Sequence, residues 1–102
     1  MANAFGNPIT ITATMGATWR NTAGNGAPAN QDITIQKIIW DGATAAGTFV
    51  IQYGDGTQFL AGTAQATTNP NPVIYDFIGG RRIFDFKVTT LSSGTLQIFY
   101  TP

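Results

Sequence analysis

The stretch that decides the fold runs from Asp32 to Leu60 and reads DITIQKIIWDGATAAGTFVIQYGDGTQFL. Its runs at Asp32–Asp41 and Gly47–Tyr53 are rich in β-branched and aromatic residues, which favour strands. The Gly-Asp-Gly sequence at 54–56 supplies the positive φ angles that a tight hairpin needs. The stretch therefore predicts consecutive antiparallel strands, with a third strand returning after the hairpin.

The first of these strands departs from strict alternation. Ile33 and Ile35 share one face, with Lys37 following in phase. Ile38 and Trp40 fall on the other face. Because side chains alternate across a strand, this break fits either a strand buried on both faces near its end or a β-bulge.

Further strand-like runs with turn signals between them occupy the rest of the chain. They lie at Ile9–Met15 (with Ala17–Arg20 considered as its continuation past Gly16), Thr57–Ala61, Val73–Ile78, Ile83–Thr90 and Thr95–Tyr100. We expect Phe84, Phe86 and Val88 to point inward. Seven or eight short strands at roughly ten-residue spacing, with no helical period, predict an all-β fold: a single antiparallel β-sandwich, jelly-roll-like.

The domain organisation follows from length. At 102 residues the chain is one domain. We interpret residues 1–8 as an N-terminal arm anchored by Phe5, and residues 9–102 as the single β-sandwich domain. The polar stretches Asn21–Gln31 and Gly62–Pro72 are expected loops, and long loops are often used for contact.

The charge content points to a protein that works packed against others. Charged residues are 10% of the chain, with five Asp, no Glu and a formal net charge of zero, whereas ordinary soluble domains have about 25%. Zero net charge gives little colloidal repulsion. Such a composition suits a chain that spends its working life against copies of itself or a large partner.

Catalytic and ligand-binding chemistry is poorly represented, so we expect no enzyme, no metal and no cofactor. The absence of His, Cys and Glu removes the usual zinc ligands. Asp76 and Asp85 alternate with inward aromatic residues and are expected to face solvent, and Asp55 is expected to serve its hairpin. No apolar run reaches the ~20 residues that cross a bilayer, so we expect no membrane partner.

The sequence GGRR at 79–82 holds the one charge cluster and is expected to form a turn. Arg81 and Arg82 could bind a carboxylate or phosphate of a partner, since the Arg fork pairs with both. Alternatively, they pair with the nearby Asp76 or Asp85. Two Arg without a supporting basic stripe are too few for nucleic acid.

The aromatic residues Trp19, Trp40, Tyr53 and Phe99 include positions that fall out of phase with the core. Exposed aromatic side chains would suit a sugar-binding platform or a protein interface. For Trp40 we favour a place in the core. Trp19, beside Arg20 and a long loop, fits an interface as well as it fits a cover over one end of the sandwich.

Three turn-and-strand motifs carry a family resemblance. They are ATAAG at 43–47, GDG at 54–56 and LSSGTL at 91–96. In this order, over the two-thirds of the chain from Asp32 onward, they resemble small all-β phage virion structural proteins of the capsid decoration, or cement, type. The first third of the chain matches no such pattern.

The resemblance implies a non-enzymatic protein that binds the major capsid protein on the outer surface of a phage head and stabilises the virion. It would be made in the host cytoplasm, reside on the virion and assemble as a dimer or trimer. We expect the partner interface to use Phe5, Trp19, Arg20, Arg81 and Arg82. The alternatives are a carbohydrate-binding module or tail adhesin that uses exposed aromatic residues, and a tail or connector component.

Overall fold

Seven strands and one short 3-10 helix make up the regular structure of the computed structural model, which describes residues 3–22, 24–43, 47–64 and 72–101. The helix spans Trp19–Asn21. The strands are β1 (Ile9–Ile11), β2 (Ile33–Asp41), β3 (Thr48–Tyr53), β4 (Gln58–Thr63), β5 (Val73–Ile83), β6 (Phe86–Leu91) and β7 (Thr95–Thr101).

The strands form two antiparallel sheets. The four-stranded sheet has the order β1-β7-β2-β5, and the three-stranded sheet has the order β4-β3-β6. An eight-stranded jelly roll that lacks its second strand has this order, with the missing strand next to β6. The predicted all-β sandwich with a jelly-roll-like arrangement is therefore confirmed.

The segment between β1 and β2 occupies the place of the missing strand. Met15 donates one backbone hydrogen bond to Val88 of β6 (2.9 Å), and the 3-10 helix then turns the chain away. The predicted strand from Ile9 to Met15, continued to Arg20, is thus wrong beyond Ile11. The physical reason is the Asn3 side chain. Its Oδ1 accepts hydrogen bonds from the backbone N–H groups of Thr12 and Ala13, so these groups do not pair with a neighbouring strand.

A β-bulge lies in β2. The pairing of β2 with both neighbours shifts between Ile35 and Lys37, so exposed Gln36 is the extra residue. As a result Ile33 and Ile35 before the bulge and Ile38 after it are buried on the same face. The bulge that the broken alternation suggested is confirmed.

Strand β5 continues through the expected GGRR turn. Gly79 and Gly80, both with φ near +80°, lie inside this 11-residue strand, and the turn comes later, at Phe84 and Asp85. The predicted turn is therefore wrong. Phe84 was expected to point inward and is instead 49% exposed, because it belongs to the turn and not to β6.

The core lies between the two sheets. Aromatic rings form much of it, with Trp40 packed edge-on against Phe49 (4.7 Å between centroids) and Phe49 against Tyr75 (5.6 Å). The buried residues are Ile9, Ile11, Met15, Trp19, Ile33, Ile35, Ile38, Trp40, Phe49, Ile51, Ala64, Ile83, Phe86, Val88, Leu96 and Ile98. The radius of gyration is 13.0 Å, close to the ~13 Å expected for one compact domain of this length.

Parts of four sequence-based predictions lie outside the described residues. These parts are residues 1–2 of the arm, residue 23 of the first polar loop, residues 44–46 of the ATAAG motif and residues 65–71 of the second polar loop. The rest of the arm folds back on β1, because Ala4 and Thr10 exchange two backbone hydrogen bonds of 2.8 and 2.7 Å.

Candidate functional site

The strongly exposed large hydrophobic side chains of the described residues all belong to β5 or directly follow it. They are Ile74 (60% exposed), Ile78 (95%) and Phe84 (49%). Scattered single apolar residues are normal on protein surfaces, but a concentration of them marks a contact site. We use the name β5 surface for the exposed side chains along this edge strand and directly after it: Ile74, Asp76, Ile78, Arg81, Arg82 and Phe84.

The two glycines inside β5 explain why Ile78 protrudes. On β2, Gln36 alone separates the partners of Asp76 and Arg81, whereas β5 places four residues between them. The excess length loops outward, and its positive φ angles favour glycine. A Cβ on Gly80 would also overlap the methyl group of the Thr34 side chain, so there is no room for a side chain at this position.

Arg81 and Arg82 are both exposed but point to opposite sides of β5, since Arg81 pairs with buried Ile35 and Arg82 pairs with outward Thr34. Their partners differ from the predicted ones. Arg81 donates to the Tyr53 hydroxyl (3.1 Å), and Arg82 lies 3.8 Å from an Asp32 carboxylate oxygen. The predicted alternative, in which they pair with Asp76 or Asp85, is wrong. The reason is the outward loop in β5, which moves both Arg past Asp76 and places Arg82 near the start of β2.

Trp19 is fully buried, so it offers no exposed face to a partner. Its ring stacks on Phe86 with centroids 5.4 Å apart and meets the ring of Tyr100 at 5.8 Å. The indole N–H donates to the Asn25 carbonyl (3.0 Å). Trp19 therefore covers one end of the core, and its assignment to an exposed interface is wrong. Trp40 is also buried, as favoured.

The Arg20 side chain is engaged within the fold. Its guanidinium donates to the carbonyls of Pro28, Gln31 and Phe84. The guanidinium carbon Cζ also lies 3.8 Å from the centre of the Phe84 ring. This side chain joins the loop before β2 to the turn after β5, and the interface role of Arg20 stays a prediction.

Replacing Arg20 with lysine is expected to lower the free energy of unfolding by ~1–3 kcal/mol, measured by urea denaturation. Lysine keeps the charge but cannot reach three carbonyls, because it lacks the planar fork, and hydrogen bonds from charged groups are worth about 1.5–3 kcal/mol each when well formed. The matched control is Arg82→Lys, whose exposed ion pair is worth ~0–1 kcal/mol. Equal losses in the two variants would contradict the stabilising role of the Arg20 hydrogen bonds to the three carbonyls.

The remaining predicted interface residue, Phe5, is half-buried and packs against the core. It lies close to the loop before β2, since a Cβ on Gly26 would be 3.3 Å from its carbonyl oxygen. Phe5 also lines a cleft with Asn3, Met15 and Thr22, and no residue of β5 lines that cleft. Of the five predicted residues, only the two Arg of β5 lie on the β5 surface.

The acidic groups near the end of β5 are engaged locally. Asp55 accepts from the hydroxyl and the backbone N–H of Thr57 (2.7 and 2.9 Å), which lowers the pKa of its carboxyl. Asp85 accepts from the backbone N–H groups of Arg20 and Phe86. With Tyr53, Gly54 and Phe84 these two residues line a shallow cleft. Asp55 is a hairpin residue, as expected.

Metal-binding and acid–base groups do not cluster within the described ranges. No group of three or more His, Cys, Asp or Glu side chains lies close enough there to hold a metal ion. Asp76 is exposed on β5, whereas Asp85 is partly buried in the turn, contrary to its expected solvent-facing position. Burial raises the pKa of the Tyr75 phenol.

Ile74, Ile78 and Phe84 are the surface residues that the sequence analysis did not single out. A signal for the first two was present, because Val73, Tyr75 and Phe77 alternate as the inward set and leave both Ile outward. Phe84 carried no such signal, since its exposure depends on where the turn lies.

Comparison of the chain with protein-family models, with curated protein sequences and with solved structures finds no match. Among the residues that the structure describes, no helix has the length and apolar character to cross a membrane.

Proposed function

We propose that this protein is a non-enzymatic structural protein of a phage virion, attached to the outer surface of the capsid as a decoration protein. The observation that carries the proposal is the exposure of Ile74 and Phe84 at the two ends of the β5 surface, together with exposed Arg81. Exposed apolar side chains grouped with Arg are typical of protein contact sites.

The charge composition supports a role in permanent contact with protein. With 10% charged residues and zero net charge, the chain has little long-range attraction for a charged ligand and little repulsion from neighbouring copies. A capsid offers a dense protein lattice on which such a chain can pack by apolar and backbone contacts.

The virion assignment rests on the resemblance of three motifs to phage structural proteins. In the fold they lie where strands are connected: GDG forms the β3–β4 hairpin, and LSSGTL spans the β6–β7 turn. Ala43 and Gly47, the described ends of the ATAAG motif, lie between β2 and β3. One fold hosts many functions, so the proposal draws on the motifs and the β5 surface together rather than on the jelly roll.

The adhesin alternative relied on an exposed Trp19 ring, and this ring is buried. Sugar-binding platforms present the face of an aromatic ring to solvent, and the indole rings of Trp19 and Trp40 are both buried. The exposed aromatic residue Phe84 already has the Arg20 guanidinium 3.8 Å from its centre. No specific observation favours a glycan over a protein as the partner of the β5 surface.

The test is co-sedimentation with shells assembled from the major capsid protein encoded in the same genome. We expect the double variant Arg81→Ala, Phe84→Ala to bind at least ~10-fold more weakly than the unmodified protein, since two contact residues at ~1 kcal/mol each exceed the 1.4 kcal/mol that corresponds to tenfold. The matched control, Lys87→Ala with Gln58→Ala, removes one cation and one polar group from the other sheet and is expected to bind normally.

Two outcomes would contradict these expectations in different ways. No attachment of the unmodified protein to the shells would overturn the proposed function. Attachment of the Arg81/Phe84 variant at full occupancy would retain the function but exclude this end of β5 as the binding surface.

A further inference from the structure

The outer faces of the two sheets differ in polarity. On the three-stranded sheet, the outward residues around Val50 are small or polar: Ala61 and Thr90 pair with Val50, and Lys87 pairs with Gln52. On the four-stranded sheet, Ile39 pairs with exposed Ile74, and Phe99 lies on the same outer face. The four-stranded sheet therefore carries the apolar outer surface.

Charges of opposite sign flank the most exposed apolar residue of that surface. Asp76 pairs with Lys37 of β2, and Arg82 pairs with Thr34. Both β2 partners are outward residues next to buried ones, so Asp76 and Arg82 face outward as well. Ile78, 95% exposed, lies between them along β5. The order along the strand is anion, isoleucine, cation.

We propose that this outer face of β5 is a self-association surface, on which a second copy of the chain packs across a two-fold axis that passes close to Ile78. In a two-fold contact each residue meets, on the partner, the residue that mirrors it about the axis. An anion and a cation on opposite sides of the axis then form two Asp76–Arg82 contacts, with the two Ile78 side chains at the centre. The surface is complementary to itself in both charge and polarity.

Both charged groups are available for this contact. Within the described part of the chain Asp76 has no ion pair, and the ammonium group of the facing Lys37 lies over the Phe99 ring, 5.0 Å from its centre. The Arg82–Asp32 separation of 3.8 Å is too long for a hydrogen bond, and an exposed pair of this kind is worth ~0–1 kcal/mol. Arg82 can therefore change partners at little cost.

The second copy meets side chains of β5 rather than extending its sheet. Continuous edge pairing needs a regular row of backbone groups, and the outward loop at Gly79 and Gly80 interrupts that row. Ile78 lies in this loop and is 95% exposed. The feature that obstructs edge-to-edge pairing thus supplies the apolar centre of a face-to-face contact, in keeping with the apolar cores of homodimer interfaces.

The first test is the mass of the purified protein in solution, without shells, by sedimentation equilibrium from ~1 to ~100 µM, which brackets affinities of moderate dimers. We expect a concentration-dependent dimer. Ile78→Asp is expected to weaken association at least ~10-fold, because it places two like charges at the axis. Ala61→Asp, which adds the same charge to an exposed site on the other sheet, is expected to dimerise normally.

The second test exchanges the charges. Asp76→Arg and Arg82→Asp, each alone, place like charges opposite each other at both contacts and are expected to be monomeric at ~10 µM. When the two variants are mixed, every contact again joins an anion to a cation. Native mass spectrometry of the mixture is expected to show the mixed dimer and little of either homodimer.

Each outcome bears on the inference directly. A monomeric unmodified protein at ~100 µM, or an Ile78→Asp variant that dimerises normally, would overturn it. Failure of the mixture to form the mixed dimer would overturn the pairing of Asp76 with Arg82. Circular dichroism verifies that each variant is folded. Because no shell is present, these results are independent of the capsid-attachment experiment.

Discussion

Replacing Trp19 with alanine is expected to lower the free energy of unfolding by ~3–5 kcal/mol, the usual cost of removing a large buried aromatic side chain. The indole is fully buried between Phe86 and Tyr100, so its removal leaves a cavity at one end of the sandwich. It also leaves the Asn25 carbonyl without its donor. For a domain of this size the loss corresponds to a fall in melting temperature of at least ~12 °C.

Urea denaturation of the alanine variant, with Trp19→Phe as the matched control, measures this effect. Phenylalanine keeps a ring against Phe86 but cannot donate to the Asn25 carbonyl, so we expect a smaller loss of ~1–3 kcal/mol. A loss below ~1 kcal/mol for the alanine variant would contradict the burial of Trp19. It would favour the interface role that its sequence context also allowed.

The sequence context of Trp19 could not decide between these roles because its environment is made by distant parts of the chain. Phe86 and Tyr100 lie far along the sequence, on β6 and β7. The segment before Trp19 carries residues typical of a strand, but it reaches β6 through one backbone hydrogen bond, from Met15 to Val88. The strand propensity of these residues predicted a strand. Packing against distant parts of the chain produces the 3-10 helix instead.

Arg20 shows a second limit of sequence reasoning. All three acceptors of its guanidinium are backbone carbonyls. Every residue has a carbonyl group, so such acceptors leave no pattern in the sequence, whereas a carboxylate partner would have done so. A lone Arg beside a polar loop therefore suggested a contact residue, although the fold uses it to join that loop to the turn after β5.

The sequence pattern predicted a turn at Gly79 and Gly80, whereas the structure places them inside β5, and the reason for this error is different. Positive φ angles occur both in tight turns and in bulges, and glycine favours each of them equally. The local chemistry was predicted correctly, since both residues have φ near +80°. The choice between turn and bulge depended on the register with β2, which only the assembled sheet defines. By contrast, β2, β3 and β7 were predicted well, because alternation and hairpin chemistry agreed there.

Replacing Gly94 with alanine is expected to lower the free energy of unfolding by ~2–5 kcal/mol. Two costs add. The residue has φ +80°, and a non-glycine residue there loses ~1–2 kcal/mol. A Cβ would also lie 2.8 Å from both the Asp41 carbonyl oxygen and the Trp40 indole nitrogen. Displacing such close neighbours costs a further ~1–3 kcal/mol.

Gly56→Ala separates the two costs. Gly56 has φ +94° in the β3–β4 hairpin, and a Cβ there would meet no atom within 4 Å. We therefore expect a loss of only ~1–2 kcal/mol, and urea denaturation of both variants gives the difference. Equal losses would mean that Trp40 and the Asp41 carbonyl are not packed against the β6–β7 turn. A larger loss for Gly94 would show that this turn closes the core over the indole, since its N–H donates to the Ser93 carbonyl (3.0 Å).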